Sequence, residues 1–224
     1  MKSNKFCTFY IVRHGETEWN KQKRIQGHEN SELTQIGIAQ AKKRAESFIN
    51  IDFDAVFSSD LIRAVHTAEL LMKNHQSHQE LRKKLNWKTT ALIRERYLGI
   101  LQGKAAYKLR ADLKELLNAL FSDDYEKLSK LQKQNPKFAD IENNEQLISR
   151  LLTFLRQTAL AYPGKKVLVV SHGGVIYRLL KHLGTAGKNE RLVIKNLAYF
   201  VLESDGVEFF VKDMEGIKVV PLVK

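Results

Sequence analysis

His14 and His172 each follow a short apolar run and precede a glycine, and this repeated pattern constrains the fold more than any other feature of the chain. The runs, residues 9–12 and 167–170, predict buried strands. Side chains at the C-terminal ends of parallel strands meet in the crevice where α/β proteins bind ligands. We therefore expect the two histidines to face one another across one site. Arg13, directly before the first histidine, indicates that the ligand is an anion such as a phosphoryl group.

Strand and helix patterns alternate along most of the chain. Beyond the two runs above, strands are predicted at residues 55–58, 89–93, 197–203, 207–212 and 217–223. Helices are predicted at residues 34–50, 60–73, 146–161 and 175–183. This alternation predicts an α/β fold, a three-layer α/β/α sandwich with a mainly parallel, mixed sheet.

Residues 104–140 interrupt the alternation, because they are helix-prone and highly charged and carry no strand signal. We expect a single domain over residues 1–224, with this stretch as a helical insertion over the active site. Two interpretations of the insertion stay open. It acts as a lid that shapes the substrate site, or it is a peripheral helical hairpin.

The groups that follow the predicted strands suit phosphoryl transfer. A neutral imidazole nitrogen can attack phosphorus when a hydrogen bond holds the other ring nitrogen and fixes the tautomer. Two guanidiniums and a second, protonated histidine can bind the three equatorial oxygens, where charge accumulates during transfer. Such a site needs no metal. The residues that supply these groups are Arg13, His14, Arg63 and His172.

The oxygen that leaves the substrate must take a proton, and Glu95 is the carboxylate expected near the site. The bound phosphate would offset the charge of the arginines, so that this carboxyl group can act as an acid. It could then take a proton from the water that hydrolyses the phosphohistidine. One residue would serve as acid first and as base second.

Several motif blocks together resemble the histidine phosphatase superfamily, also called the phosphoglycerate mutase-like family. The first block is Phe9-Tyr10-Ile11-Val12-Arg13-His14-Gly15-Glu16-Thr17-Glu18-Trp19-Asn20. Further blocks follow in the family's order at residues 24–28, 33–41, 58–68, 95–103 and 170–174. They extend over most of the chain, and together they are highly specific.

The resemblance implies a phosphoglycerate mutase-like fold, no cofactor, and a role for each matching residue. His14 is implied to be the phosphorylated nucleophile and Glu95 the proton donor. The phosphate pocket is implied to consist of Arg13, Arg63 and His172. The implied substrate-binding residues are Asn20, which would donate a hydrogen bond to the phosphoryl oxygens, with Gln26 and Gly27 at the substrate entrance and Gly173.

Residues around the expected substrate entrance favour a phosphatase over a mutase. Gln26-Gly27-His28 resembles the phosphatase branch, where the mutases usually have threonine, glycine and tryptophan. The paired arginine of the mutases is absent after Gln102-Gly103. We therefore predict a metal-independent phosphatase for phosphomonoesters of small metabolites, with sugar phosphates or bisphosphates as candidates. Phosphoglycerate mutase is the alternative, and a catalytically weak phosphate-recognising binding module is a further one.

One block departs from the family's pattern. Many members have glycine, glutamate and serine before the helix that leads to the fourth strand, where this chain has Ile141-Glu142-Asn143. The glutamate is kept and the glycine is lost. We expect an altered backbone at this point and, with it, altered surroundings of the substrate site.

The net charge of +12 is concentrated between Arg82 and Arg110, where nine lysines or arginines accompany one acid. Such a stretch can bind nucleic acid, steer small anions or form a solvated face. No aromatic interleaving or nucleic-acid motif accompanies it, so a small phosphorylated substrate is the expected partner and nucleic acid is not. The oligomeric state is left open.

The single cysteine, Cys7, excludes an intramolecular disulfide and cysteine-based metal clusters. The apolar runs fall short of the roughly 18 residues that span a bilayer, and no signal peptide or membrane partner is expected. These features fit a cytoplasmic protein. Metal binding by the two histidines is disfavoured because the adjacent arginine repels a cation.

Overall fold

The computed structural model describes residues 5–73, 87–121, 125–187 and 189–221. Its sheet has the strand order β3-β2-β4-β1-β5-β6. The four strands from β3 to β1 are parallel, whereas β5 and β6 run antiparallel at one edge. The strands are β1 (Cys7–Arg13), β2 (Ala55–Ser59), β3 (Trp87–Thr90), β4 (Lys166–Ser171), β5 (Glu190–Ser204) and β6 (Phe209–Pro221). The predicted mixed, mainly parallel sheet is confirmed.

The described ranges contain seven α-helices, and each of these is too short or too polar to span a bilayer. Short 3₁₀ turns lie at Ala91–Ile93, Gly99–Leu101, Ala106–Lys108 and Pro136–Phe138. The α-helices are α1 (Glu18–Lys21), α2 (Gln35–Phe48), α3 (Ile62–Met72), α4 (Ala111–Phe121), α5 (Tyr125–Gln134), α6 (Asn144–Ala161) and α7 (Gly173–His182).

Successive residues of the central strands bury their side chains on opposite faces of the sheet. Val167 and Val169 of β4 pack in one buried cluster with α6 and α7, whereas Leu168 and Val170 pack in another with α2 and α3. A strand that is buried on both faces reads as a continuous apolar run, as this one does. The two clusters lie between the sheet and the helices on its two faces, and these helices form the outer layers of the α/β/α sandwich.

Three strands differ from the predicted ones by more than two residues at one end. β3 ends at Thr90, because its hydroxyl accepts a hydrogen bond from the Leu92 backbone and turns the chain into a 3₁₀ helix. β5 begins at Glu190 instead of residue 197, since residues 190–194 pair with the far half of β6. The predicted strands at 207–212 and 217–223 form one strand, which passes through Gly216 in a left-handed conformation. Residues 222–224 lie outside the described residues.

The stretch 104–140 contains α4 and α5, and it contributes most residues of a third buried cluster. Leu113, Leu116 and Leu120 of α4 pack there against Leu128 of α5 and Phe138. The periodicity of the leucines on α4 places them on one face of an amphipathic helix. The first part of the basic stretch, Arg82 to residue 86, lies outside the described residues.

Candidate active site

The register of the two central strands brings the histidines together. Arg13 of β1 pairs with Ser171 of β4, so that His14 and His172 leave the sheet at the same level. The His14 backbone N–H donates to the Ser171 carbonyl at 3.0 Å, and the ring centroids of the two histidines are 5.3 Å apart. The expectation that they face one another is met by the structure.

The His14 ring is buried and held in one tautomer. Nδ1 lies 2.7 Å from the Gly15 carbonyl oxygen, which can only accept, so Nδ1 carries the proton and Nε2 keeps its lone pair. Burial, followed by the charges of Arg63 and Arg13, holds the pKa of His14 well below its usual value. A neutral imidazole with an available Nε2 is the form that can attack phosphorus.

Arg63 is fully buried and organises the site beneath the histidines. Its Nε donates to His172 Nδ1 at 3.2 Å, and its two terminal nitrogens donate to the carbonyls of Gly27 and Glu29 at 2.7 and 2.8 Å. These contacts use three of the five N–H donors of a guanidinium. Burial lowers the pKa of Arg63 to about 10, so the side chain remains a cation at neutral pH.

His172 is a neutral hydrogen-bond donor in this arrangement. Its Nδ1 accepts from Arg63, so the proton of the neutral ring lies on Nε2, which is buried and has no partner within the described residues. Burial, followed by the charges of Arg63 and His14, holds the pKa of His172 well below its usual value. The sequence suggested a protonated ring. The structure favours a neutral one, because Arg63 already supplies the positive charge at this position.

Arg13 extends the cationic surface on the other side of His14. One terminal nitrogen donates to the Ile194 carbonyl at 2.6 Å, whereas the buried Nε has no partner in the described part of the chain. A Cβ on Gly173 would lie 3.0 Å from this Nε, so glycine at that position lets the guanidinium lie close against the start of α7. Buried donors without partners are rare in native proteins, and two of them, on Arg13 and His172, point to an anionic ligand.

The Glu95 carboxylate is held by two backbone amides. Its Oε1 accepts from the Arg96 N–H at 2.8 Å and its Oε2 from the Gly174 N–H at 2.9 Å. A Cβ on Gly174 would lie 2.4 Å from Oε1 and would displace the carboxylate. The glycine pair after His172 therefore makes room for Arg13 on one side and for Glu95 on the other.

The predicted substrate-binding residues lie around the same cavity. Asn20 belongs to the capping box of α1, in which its Oδ1 accepts from the N–H of the N-cap residue Thr17 at 3.2 Å. Gln26 is nearly buried, and its Oε1 has no partner among the described residues. Gly27 is left-handed at φ 58°, and its carbonyl accepts from Arg63.

These residues enclose a cavity of about 310 Å³. Eight of the nine predicted site residues line it, and His172 lies directly beneath, against His14. We use the name phosphate floor for Arg13, His14, Arg63 and His172. We use the name rim for the other lining side chains that the sequence did not assign, which are Arg24, Arg96, Leu98, Phe121, Tyr177, Leu192 and Ile194.

Sequence reasoning did not assign the rim residues to the site. Arg24 and Arg96 belong to motif blocks, and their position beside assigned residues was the signal that could have found them. Phe121, Tyr177 and Leu192 carry no such signal, because a single apolar side chain has many structural uses. Tyr177 follows Gly174 by about one helical turn, which places it on the face of α7 that borders Glu95.

The rim adds two cations to the two of the floor. The Arg24 guanidinium donates to the Gly103 carbonyl at 3.0 Å, whereas buried Arg96 donates to the Glu142 carbonyl and to Asn144 Oδ1 at 3.0 and 2.6 Å. These are neutral acceptors, and the charge of each arginine is therefore retained in the cavity wall. Four arginines against one carboxylate make the cavity strongly attractive to anions.

The departure at residues 141–143 has a defined structure. The Glu142 carboxylate forms a two-point ion pair with Arg150 at 2.5 and 2.9 Å, and Asn143 caps α6 in a reciprocal capping box with Gln146. Arg150 also donates to the Glu95 carbonyl at 3.2 Å. This segment thus supports the backbone that carries Glu95. His28 supports the same carbonyl, with Nε2 at 2.8 Å.

Within residues 5–73, 87–121, 125–187 and 189–221, no group of three histidine, cysteine or acidic side chains is placed to hold a metal ion. Cys7 is a buried free thiol on β1, and burial raises its pKa to about 12. It is therefore inert at neutral pH.

Comparison with known proteins finds similarity over nearly the whole chain. A family model described as the histidine phosphatase superfamily, branch 1, matches residues 9–215. Phosphoglycerate mutase-like protein 4 of Arabidopsis thaliana is 31% identical over 206 residues, which are 88% of this chain and 80% of that protein. Metal-independent phosphoserine phosphatase of the same plant is 34% identical over 182 residues, 80% of this chain and 70% of that protein. A phosphoglycerate mutase structure from Bacillus anthracis superimposes with a TM-score of 0.74 at 26% identity and covers 93% and 92% of the two chains.

Proposed function

The chain belongs to the histidine phosphatase superfamily, branch 1, and from that premise we propose that it is a metal-independent phosphatase that hydrolyses small phosphomonoesters through a phosphohistidine on His14. The observation that carries the proposal is the fixed tautomer of His14. Its Nδ1 is bound to the Gly15 carbonyl, and its Nε2 lies in a cavity lined by four arginines.

In the first half-reaction, His14 Nε2 attacks phosphorus and the bond from phosphorus to the ester oxygen breaks. Arg13 Nε, Arg63 and the Nε2–H of His172 donate to the equatorial oxygens, where negative charge develops. Glu95 gives its proton to the departing oxygen, which leaves as an alcohol. The imidazole ring of His14 bears the phosphoryl group on Nε2.

In the second half-reaction, the Glu95 carboxylate takes a proton from a water molecule, whose oxygen attacks the phosphoryl group. The bond from phosphorus to Nε2 breaks, the ring recovers its lone pair, and inorganic phosphate leaves. The backbone amides of Arg96 and Gly174 keep the Glu95 carboxylate in place through both steps. The same group thereby acts on the leaving oxygen and on the attacking water.

The rim supports a leaving group that carries an anion on a short carbon skeleton. Arg24 and Arg96 would bind a carboxylate or a second phosphate, and Leu98, Tyr177 and Ile194 would contact the carbon atoms. A cavity of about 310 Å³ suits a small metabolite. Phosphorylated hydroxy acids, phosphoamino acids and sugar bisphosphates all have these properties.

We also propose that the chain is one domain in which residues 104–140 form a wall of the substrate site. Phe121, the last residue of α4, lines the cavity although it is 48% exposed, and the rest of α4 is anchored in a separate buried cluster. A substrate would cover this ring on binding.

Phosphoglycerate mutase is the second candidate, and similarity to phosphoglycerate mutase-like protein 4 is the observation that favours it. A mutase uses the same floor and differs in that a substrate hydroxyl, in place of water, accepts the phosphoryl group. The absence of a paired arginine after Gln102-Gly103 favours the phosphatase.

The deciding experiment is a screen of phosphorylated metabolites in the presence of EDTA, with 3-phosphoglycerate mutase activity measured in parallel. The panel pairs each anionic leaving group with a neutral one, for example phosphoserine with ethyl phosphate. We expect phosphate release that EDTA does not change and that is faster for the anionic members. Loss of activity in EDTA with recovery on addition of a divalent metal would refute the phosphatase proposed here, and isomerisation faster than hydrolysis would identify a mutase.

A further inference from the structure

Asn196 of β5 is bound to two parts of the phosphoryl-transfer site without lining the cavity. Its side-chain Nδ2 donates to the His14 backbone carbonyl at 3.1 Å and makes a longer contact of 3.4 Å with Asn20 Oδ1. The side-chain amide of Asn196 thus connects the backbone of His14 to the side chain of Asn20, a predicted ligand of the phosphoryl group. The resemblance of the sequence to a known family did not point to this residue.

An irregularity in β5 places Asn196 in this position. The pairing of β5 with β6 passes from Ile194 opposite Ile217 to Tyr199 opposite Glu215, so that residues 195–198 face only Gly216. Leu197 adopts φ 56°, a left-handed conformation that is unfavourable for a residue with a side chain. Such strain persists where the surroundings enforce it, and it marks candidate functional positions.

The irregular segment is fixed on both sides. Before it, Arg13 donates to the Ile194 carbonyl at 2.6 Å; after Asn196, Arg44 Nε donates to the Leu197 carbonyl at 3.2 Å. The Leu197 side chain is buried, and a Cβ on Gly216 would lie 2.9 Å from the Cβ of Ala198. The bulge is therefore a rigid support, and its attachment to Arg13 makes it continuous with the phosphate floor.

The two contacts determine which end of the Asn20 amide faces the substrate. Asn20 Oδ1 accepts from the Thr17 backbone N–H and lies near the Asn196 Nδ2, and both of these are donors. The oxygen of the Asn20 amide is thereby held toward the protein, and its NH₂ group is the end available to a ligand. A phosphoryl oxygen can only accept a hydrogen bond, so this orientation is the productive one.

We propose that Asn196 is a positioning residue for phosphoryl transfer, which orients the Asn20 amide as a donor and fixes the backbone of His14. The inference rests on the proposed function, because it assigns Asn196 to the same phosphoryl site. Asn196 touches no reacting atom, and it acts through the two residues that it binds.

Three variants test the proposal. Asn196→Ala removes both contacts and is expected to lower kcat about tenfold, the effect of one well-placed hydrogen bond. Asn196→Asp keeps the shape but places a carboxylate against two acceptor oxygens, and it is expected to lower kcat further than alanine does. Lys195→Ala, at the exposed neighbouring position, is the matched control and should leave kcat unchanged. A role in packing alone predicts the reverse order, with Asp closer to the wild type than Ala.

A double-mutant cycle with Asn20→Ala identifies the route of the effect. The Asn196→Ala loss should shrink to a few-fold when Asn20 is already alanine, since one of its two routes is gone. Additive losses would overturn the coupling to Asn20, and a wild-type kcat in Asn196→Asp would overturn the proposal as a whole. Melting temperatures of all variants establish that the losses occur in folded protein.

Binding of orthovanadate, measured by calorimetry, separates this inference from the proposed function, because it requires no turnover. We expect the wild type to bind vanadate and Asn196→Asp to bind it at least tenfold more weakly. Equal binding by the two proteins would contradict the role of Asn196 alone. A wild type that neither binds vanadate nor hydrolyses any phosphomonoester would contradict the phosphatase function as well.

Discussion

The phosphate floor and the rim border one cavity and are built differently. Floor side chains leave the ends of β1 and β4 or the first turn of α3, and Arg63 and His172 are completely buried. Rim side chains come from the segments after α1 and after β3, from the end of α4, from α7 and from β5, and Phe121 is 48% exposed. Buried, multiply bonded groups suit chemistry that tolerates little movement. Side chains that come from separate elements, some buried and some exposed, suit selection among substrates, and the two regions should respond differently to substitution.

The sharpest comparison is between two arginines that line the same cavity. Arg63→Ala removes three hydrogen bonds and a buried cation, and we expect kcat to fall about a thousandfold, as for the loss of a transition-state donor. Arg24→Ala removes an exposed cation of the rim, and it should raise KM several-fold for anionic substrates with little change in kcat. Steady-state kinetics on one anionic substrate measures both. Similar effects on kcat would erase the distinction between floor and rim.

Glu95 lies between the two regions, and its contribution should depend on the leaving group. Glu95→Gln retains the shape and loses the transferable proton, so that kcat for an alkyl phosphate should fall about a hundredfold. With p-nitrophenyl phosphate, whose leaving group needs no proton, the loss of phosphorylation rate should be small. Single-turnover rates on both substrates test this difference. Equal losses would show that Glu95 is not the acid.

The buried histidines of the floor should make folding stability depend on pH. The pKa values of His14 and His172 lie below the usual value near 6.5, so the unfolded chain binds more protons than the folded one below that pH. The contribution of these two histidines to the free energy of unfolding is therefore fully present above pH 6.5. It is lost as the pH falls below that value, by up to about 1.4 kcal/mol per pH unit for each histidine. Denaturant unfolding at pH 7.5, 6.5 and 5.5 measures the slope, which His172→Gln should reduce. Constant stability over this range would be the contrary result.

Substitution of Gly174 tests how accurately the Glu95 carboxylate must be positioned. A Cβ at this position would lie 2.4 Å from Glu95 Oε1, so Gly174→Ala should displace the carboxylate and lower kcat about tenfold. Gly187→Ala is a suitable control, since its Cβ would meet only the flexible Glu190 carboxylate, at 3.3 Å. Unchanged kinetics in Gly174→Ala would mean that the position of Glu95 is not critical.

The smallest effects are expected at the apolar rim. Phe121→Ala should raise KM about threefold for substrates with a carbon skeleton and leave that of a minimal phosphate ester unchanged, because only the former cover the ring. Leu160→Ala is the control, as this exposed leucine lies on α6 away from the cavity. A reduced kcat with unchanged KM in Phe121→Ala would place the insertion in the catalytic step and remove it from substrate selection.

The floor was predictable from the sequence because most of its charged and titratable residues lie at or directly after the ends of predicted strands. His14 and His172 follow apolar runs, and glycines at 15 and 173 indicate close approach, so strand register alone brings the rings together. The rim was not predictable in this way. Tyr177 and Leu192 reach the cavity only because α7 turns one face toward Glu95 and because β5 begins at Glu190.

Asn196 shows a second reason why part of the site escaped prediction. The bulge that positions it contains a left-handed leucine at residue 197, where a glycine would have signalled the turn. The enforcing contacts come from Arg13, Arg44 and Gly216, which are distant in sequence. Tertiary contacts of this kind override local preference, and a single sequence does not reveal them.

We expect His14 to react through Nε2, because its Nδ1 is bound to the Gly15 carbonyl. Nitrogen-15 and phosphorus-31 NMR of the acid-sensitive intermediate, trapped by rapid quenching, distinguishes phosphorylation at the two ring nitrogens. We expect phosphate on Nε2 of His14 in nearly one equivalent, and no label in His14→Ala. Phosphate on Nδ1, label that persists in His14→Ala, or turnover without any phosphohistidine would show that catalysis does not pass through Nε2 of His14.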